Sequence, residues 1–156
     1  MEETYTATEL STGYRWEATL FLEVWKSVEE EYGMEKAKDI CGNAMYEAGV
    51  RFGKAMAKKK GRNDLKALKE VWEELYPVGP DNEWDGDKFV ARGDSCIIKD
   101  TLQMYDIPEE RLEEIQKVFC DGDKGFVNGF NPEIEFTWGG RIFRDEPRCE
   151  WIMEKA

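Results

Sequence analysis

The first half of the chain repeats apolar residues at the spacing of amphipathic helices. From Tyr14 to Tyr32 the apolar positions recur every third or fourth residue, and Gly33 ends the pattern. The same periodicity predicts a second helix from Met34 to Lys60. The apolar face of this helix is formed by Ala37, Cys41, Ala44, Met45, Ala48, Phe52 and Met56.

A third helix is expected after a short polar break. Asn63 is the predicted N-cap, Leu65 to Leu75 carry the apolar positions, and the PVGP segment at 77–80 ends the helix. The small residues of the second helix, Ala44, Ala48 and Gly49, would allow another helix to approach closely.

The second half of the chain changes to shorter elements. FVA at 89–91 predicts a short strand, and 106–120 predicts a helix that opens with a proline. Alternating apolar residues predict two further strands, at 133–143 and 148–155. The order of elements indicates an α+β fold, with N-terminal helices packed on a small antiparallel sheet. We interpret 1–156 as a single domain in which 1–13 form a loosely ordered N-terminal segment.

The charge balance excludes several classes of partner. Lys and Arg number 22 against 34 Asp and Glu, which gives a net charge of −12. Such a surface repels nucleic-acid phosphates and anionic lipid headgroups, so neither nucleic acid nor a membrane is an expected partner. The acidic N-terminus has no signal-peptide pattern, and we expect a cytoplasmic protein whose thiols are reduced.

Histidine is absent from the sequence, which restricts the possible chemistry. Acid–base catalysis would have to use carboxylates, Cys, Lys, Tyr or a metal-bound water. Cys41 lies in the helical stripe and reads as a small buried side chain. For Cys96, Cys120 and Cys149 three interpretations stay open: separately buried thiols, a thiolate cluster that binds zinc with a carboxylate, or a catalytic thiol.

Several short motifs together resemble a known family. They occur in this order: Cys96 near the end of a strand, Phe119-Cys120 with Asp123, Asn131-Pro132, and Cys149-Glu150-Trp151. Along 45–154 this order resembles the L-2-amino-thiazoline-4-carboxylic acid hydrolase family. The closing CEW strand is also similar to the small-molecule-binding domain of bacteriochlorophyll 4-vinyl reductase, and some domains of that type hold zinc through cysteines and a carboxylate.

The resemblance implies a hydrolase that opens a cyclic C=N bond of a small heterocycle with water. Asp123, Cys120 and Cys96 are then the candidate catalytic residues, with Asp123 as the base. The candidate ligand-binding residues are Asn131, Phe126, Phe130 and Trp138. Zinc is the candidate cofactor, with Cys96, Cys120 and Cys149 as its ligands. The alternative is a non-catalytic sensor or carrier domain that binds a small molecule and has structural cysteines.

A homodimer is also predicted. The helices are amphipathic and the chain has six tryptophans, which is more apolar surface than one small sheet covers.

Overall fold

A computed structural model describes residues 7–76 and 81–156 of the chain. Three helices open the fold, and they are α1 (Ala7–Tyr32), α2 (Met34–Lys60) and α3 (Leu65–Leu75). Helix α2 has the predicted bounds, and α1 begins earlier than the predicted Tyr14. Gly33 separates the first two helices with a φ of 84°, a backbone conformation that glycine adopts without steric cost.

The cap of α3 differs from the prediction. Asp64, and not Asn63, is the N-cap, because its Oδ1 accepts a hydrogen bond from the backbone N–H of Ala67 at 2.9 Å. The PVGP segment that was predicted to end α3 lies outside the described residues.

The second half of the chain contains all the strands of the described residues and three more helices. In chain order these elements are β1 (Glu83–Trp84), β2 (Lys88–Gly93), α4 (Ile97–Leu102), α5 (Glu109–Phe119), α6 (Asp121–Phe130), β3 (Ile134–Trp138) and β4 (Cys149–Lys155). A single 3₁₀ turn, Ile142–Arg144, precedes β4. The strands form one antiparallel sheet in the order β1-β2-β4-β3. The α+β class is therefore confirmed, although α4 to α6 are inserted between the two halves of the sheet.

Two hydrophobic clusters hold these layers together. The first joins α1, α2, α4 and α5 and includes the fully buried Leu22 and Trp25. The second joins α3 and α6 to the sheet and includes Trp72, Phe89 and Phe126. Each large side chain buried in this way contributes about 1.5–3 kcal/mol relative to its exposed state.

Helices α2 and α6 approach each other at glycine. A β-carbon built on Gly49 or Gly53 of α2 would lie 2.1 Å from a carbonyl oxygen of α6. Gly125 and Gly129 of α6 would meet the carbonyl oxygens of Tyr46 and Val50 at the same distance. Because no side chain fits between them, the two backbones are in direct contact. This contact holds the first turn of α6 in a fixed position against α2.

The glycine contact corrects the predicted apolar face of α2. Gly49 does lie in the helix–helix contact, as predicted, but Ala44, Ala48 and Phe52 are exposed. The closest approach to α6 is at Gly49 and Gly53, which a pattern of apolar side chains does not show.

No described helix combines the length and the apolar character that a membrane crossing requires.

Helix α1 carries an exposed apolar stripe formed by Trp16, Leu20 and Val24, whose exposed fractions are 72%, 55% and 45%. These residues recur at every fourth position and lie on one side of the helix. The homodimer stays a prediction, and this stripe is the surface that it would use.

Leu20→Glu tests that prediction. A charge placed in an apolar contact between two copies is expected to shift the protein from dimer to monomer in light scattering, because the carboxylate would be buried without a partner. Lys54→Glu, at an exposed position of α2, is the control. A wild-type protein that is monomeric at high concentration contradicts the dimer.

Candidate functional site

A cavity of about 480 Å³ lies between the helices and the sheet. Helices α1, α2, α5 and α6 form one side, and the segment after β2, strand β4 and the end of β3 form the other. The volume falls in the range that small-molecule sites occupy. Its wall is mainly apolar and aromatic, with a small number of polar groups. The cavity is thus suited to a small ligand with an apolar body.

Asp123 is the acidic group at the inner end of this cavity. It lies in the first turn of α6, and its Oδ2 accepts a hydrogen bond from Nε1 of Trp151 on β4 at 3.0 Å. Burial raises the pKa of Asp123 to about 7, and the negative charge of Glu17 acts in the same direction. Hydrogen bonds from Trp151 and Tyr76, together with the positive charge of Arg141, lower the pKa and offset part of this effect. A carboxyl group with a pKa near 7 can take up and release a proton at neutral pH.

This pKa predicts a pH dependence of stability. The carboxyl binds its proton more tightly in the folded chain, with a pKa of about 7 against an ordinary value of 3.8. Between these values the folded state holds more protons than the unfolded state, so the free energy of unfolding should fall as pH rises. Thermal melts of wild type and Asp123→Asn from pH 4 to 8 measure the effect. The wild type should lose stability relative to the variant over this range, and parallel curves would contradict the raised pKa.

A second carboxylate and two tyrosines lie near Asp123. Glu17 lines the cavity from α1, and burial raises its pKa. Much of its side chain is open to solvent, so Glu17 lies at the mouth of the cavity. The rings of Tyr14 and Tyr76 stack with centroids 5.8 Å apart, and burial raises both pKa values. Both phenols are therefore protonated at neutral pH and act as hydrogen-bond donors.

Cys96, Cys120 and Cys149 all line the cavity, whereas the buried Cys41 packs in the helical cluster outside it. The Sγ of Cys96 accepts a hydrogen bond from Nε2 of Gln116 at 3.0 Å. The Sγ of Cys149 accepts a hydrogen bond from the backbone N–H of Ile142 at 3.3 Å. All four cysteines are free thiols.

Burial keeps the thiols of the cavity protonated. It raises the pKa of Cys149 to about 11 and the pKa of Cys120 well above its ordinary value. It also raises the pKa of Cys96, against two backbone hydrogen bonds that lower it. Because the thiolate is the nucleophilic form, these thiols are weak nucleophiles at neutral pH. A catalytic role for Cys96 and Cys120 stays a prediction.

The zinc prediction gains no support from the geometry. Within 7–76 and 81–156, no three or more Cys, Asp or Glu side chains are arranged to hold a metal ion. Cys96, Cys120 and Cys149 share a cavity wall, but they do not form a tetrahedral ligand set.

The predicted ligand-binding residues divide into two groups. Phe126 and Trp138 line the cavity. Phe130 lies instead in the core between α6 and the sheet. Asn131 also lies outside the cavity wall, and its amide bonds to the backbone: Nδ2 donates to the Asn63 carbonyl and Oδ1 accepts from the Glu133 N–H, each at 2.9 Å. Asn131 thus joins the ends of two elements.

The sequence analysis missed several polar groups of the cavity, namely Tyr14, Glu17, Tyr76 and Gln116. The spacing of Tyr14 and Glu17, three residues apart on α1, puts both on one side of the helix. Nothing in the sequence indicated which side of α1 faces the sheet. Gln116 is a fully buried polar residue of α5. The pattern of apolar residues along the sequence does not predict the burial of a polar side chain.

The fold is a small α+β domain that encloses a cavity with a titratable carboxyl group in its wall. The family model for L-2-amino-thiazoline-4-carboxylic acid hydrolase matches residues 13–152. The chain belongs to this family, as the ordered motifs of its sequence indicated.

Comparison with other proteins adds a likeness of fold. No curated protein matches the chain. Among solved structures, the chain is similar to a trafficking protein particle complex subunit 3 from Naegleria fowleri, which is covalently bound to palmitic acid. The TM-score is 0.59 at 10% sequence identity, over 93% of this chain and 96% of that chain. At this identity the likeness concerns the fold alone.

Proposed function

We propose that the protein is a hydrolase that opens a cyclic C=N bond in a small heterocycle bound in the cavity. The observation that carries the proposal is Asp123, a carboxyl group with a pKa of about 7 in the wall of an otherwise mainly apolar cavity. Family membership supports the reaction class. The chain has no histidine, so a carboxylate is the natural base among its side chains.

The chemistry requires a base, a held water and a proton for the departing nitrogen. In the proposed reaction Asp123 takes a proton from water, and the oxygen of that water bonds to the carbon of the C=N group. The C=N bond becomes a single bond, and its nitrogen takes the proton from Asp123. The ring C–N bond then breaks as the remaining hydroxyl proton passes through Asp123 to the nitrogen, which leaves as an amine while the oxygen forms the C=O group of the product. The reaction consumes one water, and the carboxylate returns to its starting state.

The residues around Asp123 have positioning roles in this reaction. Trp151, on β4, donates a hydrogen bond to Oδ2 of Asp123 and thereby fixes the orientation of the carboxylate. Tyr76 donates a second hydrogen bond to Asp123 and is itself stacked on Tyr14. The direct contact of α2 with α6 at glycine holds the helix turn that carries Asp123. A carboxylate held from three sides needs little reorganisation when it takes up a proton.

A second candidate function is non-catalytic binding of an apolar ligand. It is favoured by the aromatic part of the cavity wall, to which Phe119, Phe126, Trp138 and Phe143 contribute. The structurally similar trafficking subunit is bound to palmitic acid, which is consistent with an apolar occupant in this type of fold.

Turnover separates the two functions. The purified protein would be incubated with 2-amino-2-thiazoline, its 4-carboxylate and a cyclic urea, and the ring-opened products would be measured by mass spectrometry. Product formation above the rate without enzyme is the expected result. No turnover of any of these compounds, together with a higher melting temperature in the presence of a fatty acid, would replace the hydrolase with the binding function.

A further inference from the structure

We propose that the cavity selects a positively charged nitrogen heterocycle and that it has no subsite for a carboxylate on the ligand. The inference rests on the proposed function, which assigns the substrate to this cavity. What is new is the charge that the substrate carries. The family is described by a carboxylic acid substrate, so the inference separates this chain from that substrate.

The charged groups of the wall are of one sign. Glu17 and Asp123 line the cavity, and among the described residues no Lys or Arg does. Arg141 does not line the cavity; its guanidinium carbon lies 4.0 Å from the centroid of the Trp138 ring and 5.2 Å from that of Phe143. Its positive charge is thus already engaged with two aromatic rings and with Asp123. A carboxylate on the ligand would be desolvated beside two acidic side chains, which is unfavourable.

The hydrogen-bonding groups of the wall show the same asymmetry. The hydroxyl of Tyr14 donates to the Leu75 carbonyl at 2.7 Å, and the donors of Tyr76 and Trp151 are directed to Asp123. Gln116 lies in the wall as well, and its Nε2 donates to Cys96. Its buried Oε1 has no donor within the described part of the chain. These donors are thus engaged within the protein, whereas hydrogen-bond acceptors of the wall are available to a ligand. A ligand with several N–H groups therefore complements the wall.

Aromatic rings provide a further attraction for a cation. Tyr14, Tyr76 and Trp151 line the cavity together with the carboxylate. The faces of such rings are negative and attract a positively charged ligand most strongly where water is excluded. A delocalised amidinium combines the charge, the N–H donors and the flat shape that this wall accommodates.

The charge inference includes a pH dependence of ligand affinity. The charged and titratable groups that face Asp123 are Glu17 and Tyr14 from α1, Tyr76 after α3, Cys96 before α4, Cys120 at the start of α6, Arg141 before β4 and Cys149 at its start. The pKa of Asp123 is about 7, so the charge of this carboxyl changes around neutral pH. The affinity for a cation should rise as pH increases from 6 to 8, because the carboxyl then becomes negative.

Three probes of one shape and different charge test the proposal without turnover. Benzamidine is cationic, benzamide is neutral and benzoate is anionic, and calorimetry at pH 8 would give their dissociation constants. Benzamidine is expected to bind at least about tenfold tighter than benzamide, and benzoate more weakly than benzamide. In Asp123→Asn the preference for benzamidine should fall to within about threefold, whereas Asp121→Asn, at an exposed position of the same helix, should keep it.

The contrary outcomes are distinct. Benzoate binding as tightly as benzamidine, or no preference for benzamidine in wild type, overturns the inference. Circular dichroism spectra of both variants establish that they are folded, and Glu17→Gln provides a second variant at the mouth of the cavity. If the benzamidine preference is present but the heterocycles are not turned over, the proposed hydrolysis fails and the charge preference stands. Turnover together with a preference for benzoate overturns the charge preference alone.

Discussion

Asp123→Asn is expected to lower kcat/KM for the heterocyclic substrate by about 100-fold or more, the size of a typical general-base contribution. Asparagine has nearly the same shape and can still accept the hydrogen bond from Trp151, but it cannot take a proton from water. The melting temperature of the variant at pH 8 should be unchanged or higher, because the replaced carboxylate is charged and desolvated at that pH. Initial rates and thermal melts on the same preparation measure both quantities.

The control for this variant is Asp121→Asn, two residues away on α6. Asp121 is exposed and does not line the cavity, so its activity should stay within about threefold of wild type, since surface substitutions seldom have large effects. A similar loss in both variants would indicate a general effect of charge. A variant of Asp123 that retains activity would contradict its role as the base.

Gly125→Ala is expected to cause the largest loss of stability among single substitutions considered for this chain. Its new β-carbon would lie 2.1 Å from the carbonyl oxygen of Tyr46, far inside van der Waals contact. The atom in the way belongs to the backbone of α2, so the helices would have to separate. Overpacking typically costs about 1–3 kcal/mol and can exceed this range where backbone must move, so we expect about 3 kcal/mol or more. Denaturant unfolding gives the free energy directly.

The matched control is Gly13→Ala on α1. A β-carbon at this position would meet nothing within 4 Å. Alanine has a higher helix propensity than glycine, so the variant should gain up to about 1 kcal/mol. If Gly125→Ala were as stable as Gly13→Ala, the close contact of α2 and α6 would be disproved. Because Asp123 lies in the same helix, Gly125→Ala should also lose activity wherever it remains folded.

The long helices were predictable because their cause is local. Helix α2 runs from Met34 to Lys60 as its periodicity indicated, and Gly33 marks the boundary with α1. The contact of α2 with α6 was only partly predictable. Glycine has a low helix propensity, yet Gly125 and Gly129 of α6 are the residues that let this helix approach α2. Helix propensity describes an isolated helix, whereas in this fold the tertiary contact between α2 and α6 determines which residues are suitable.

The residues of the candidate site that belong to the sequence motifs were predictable. Asp123 and the three late cysteines line one cavity, which their order along the chain suggested. Glu17, by contrast, comes from α1, more than one hundred residues before Asp123, and no short motif joins them. Asn131 shows the converse: its place in a motif left open ligand binding or a cap at the helix end, and its amide bonds to the backbone of Asn63 and Glu133. The position of a polar side chain relative to a cavity depends on packing between distant elements.

The dependence of kcat/KM on pH tests the central claim, that Asp123 is the base of a hydrolytic site, most directly. For the wild-type protein and a heterocycle that it turns over, the account predicts a rise from pH 5 to a plateau above pH 8. The midpoint should lie near the Asp123 pKa of about 7, because the ionised carboxylate is the active form. The same rise should be missing from the residual activity of Asp123→Asn. A wild-type profile that is flat from pH 5 to 9, or one whose midpoint is unchanged in Asp123→Asn, would contradict the account.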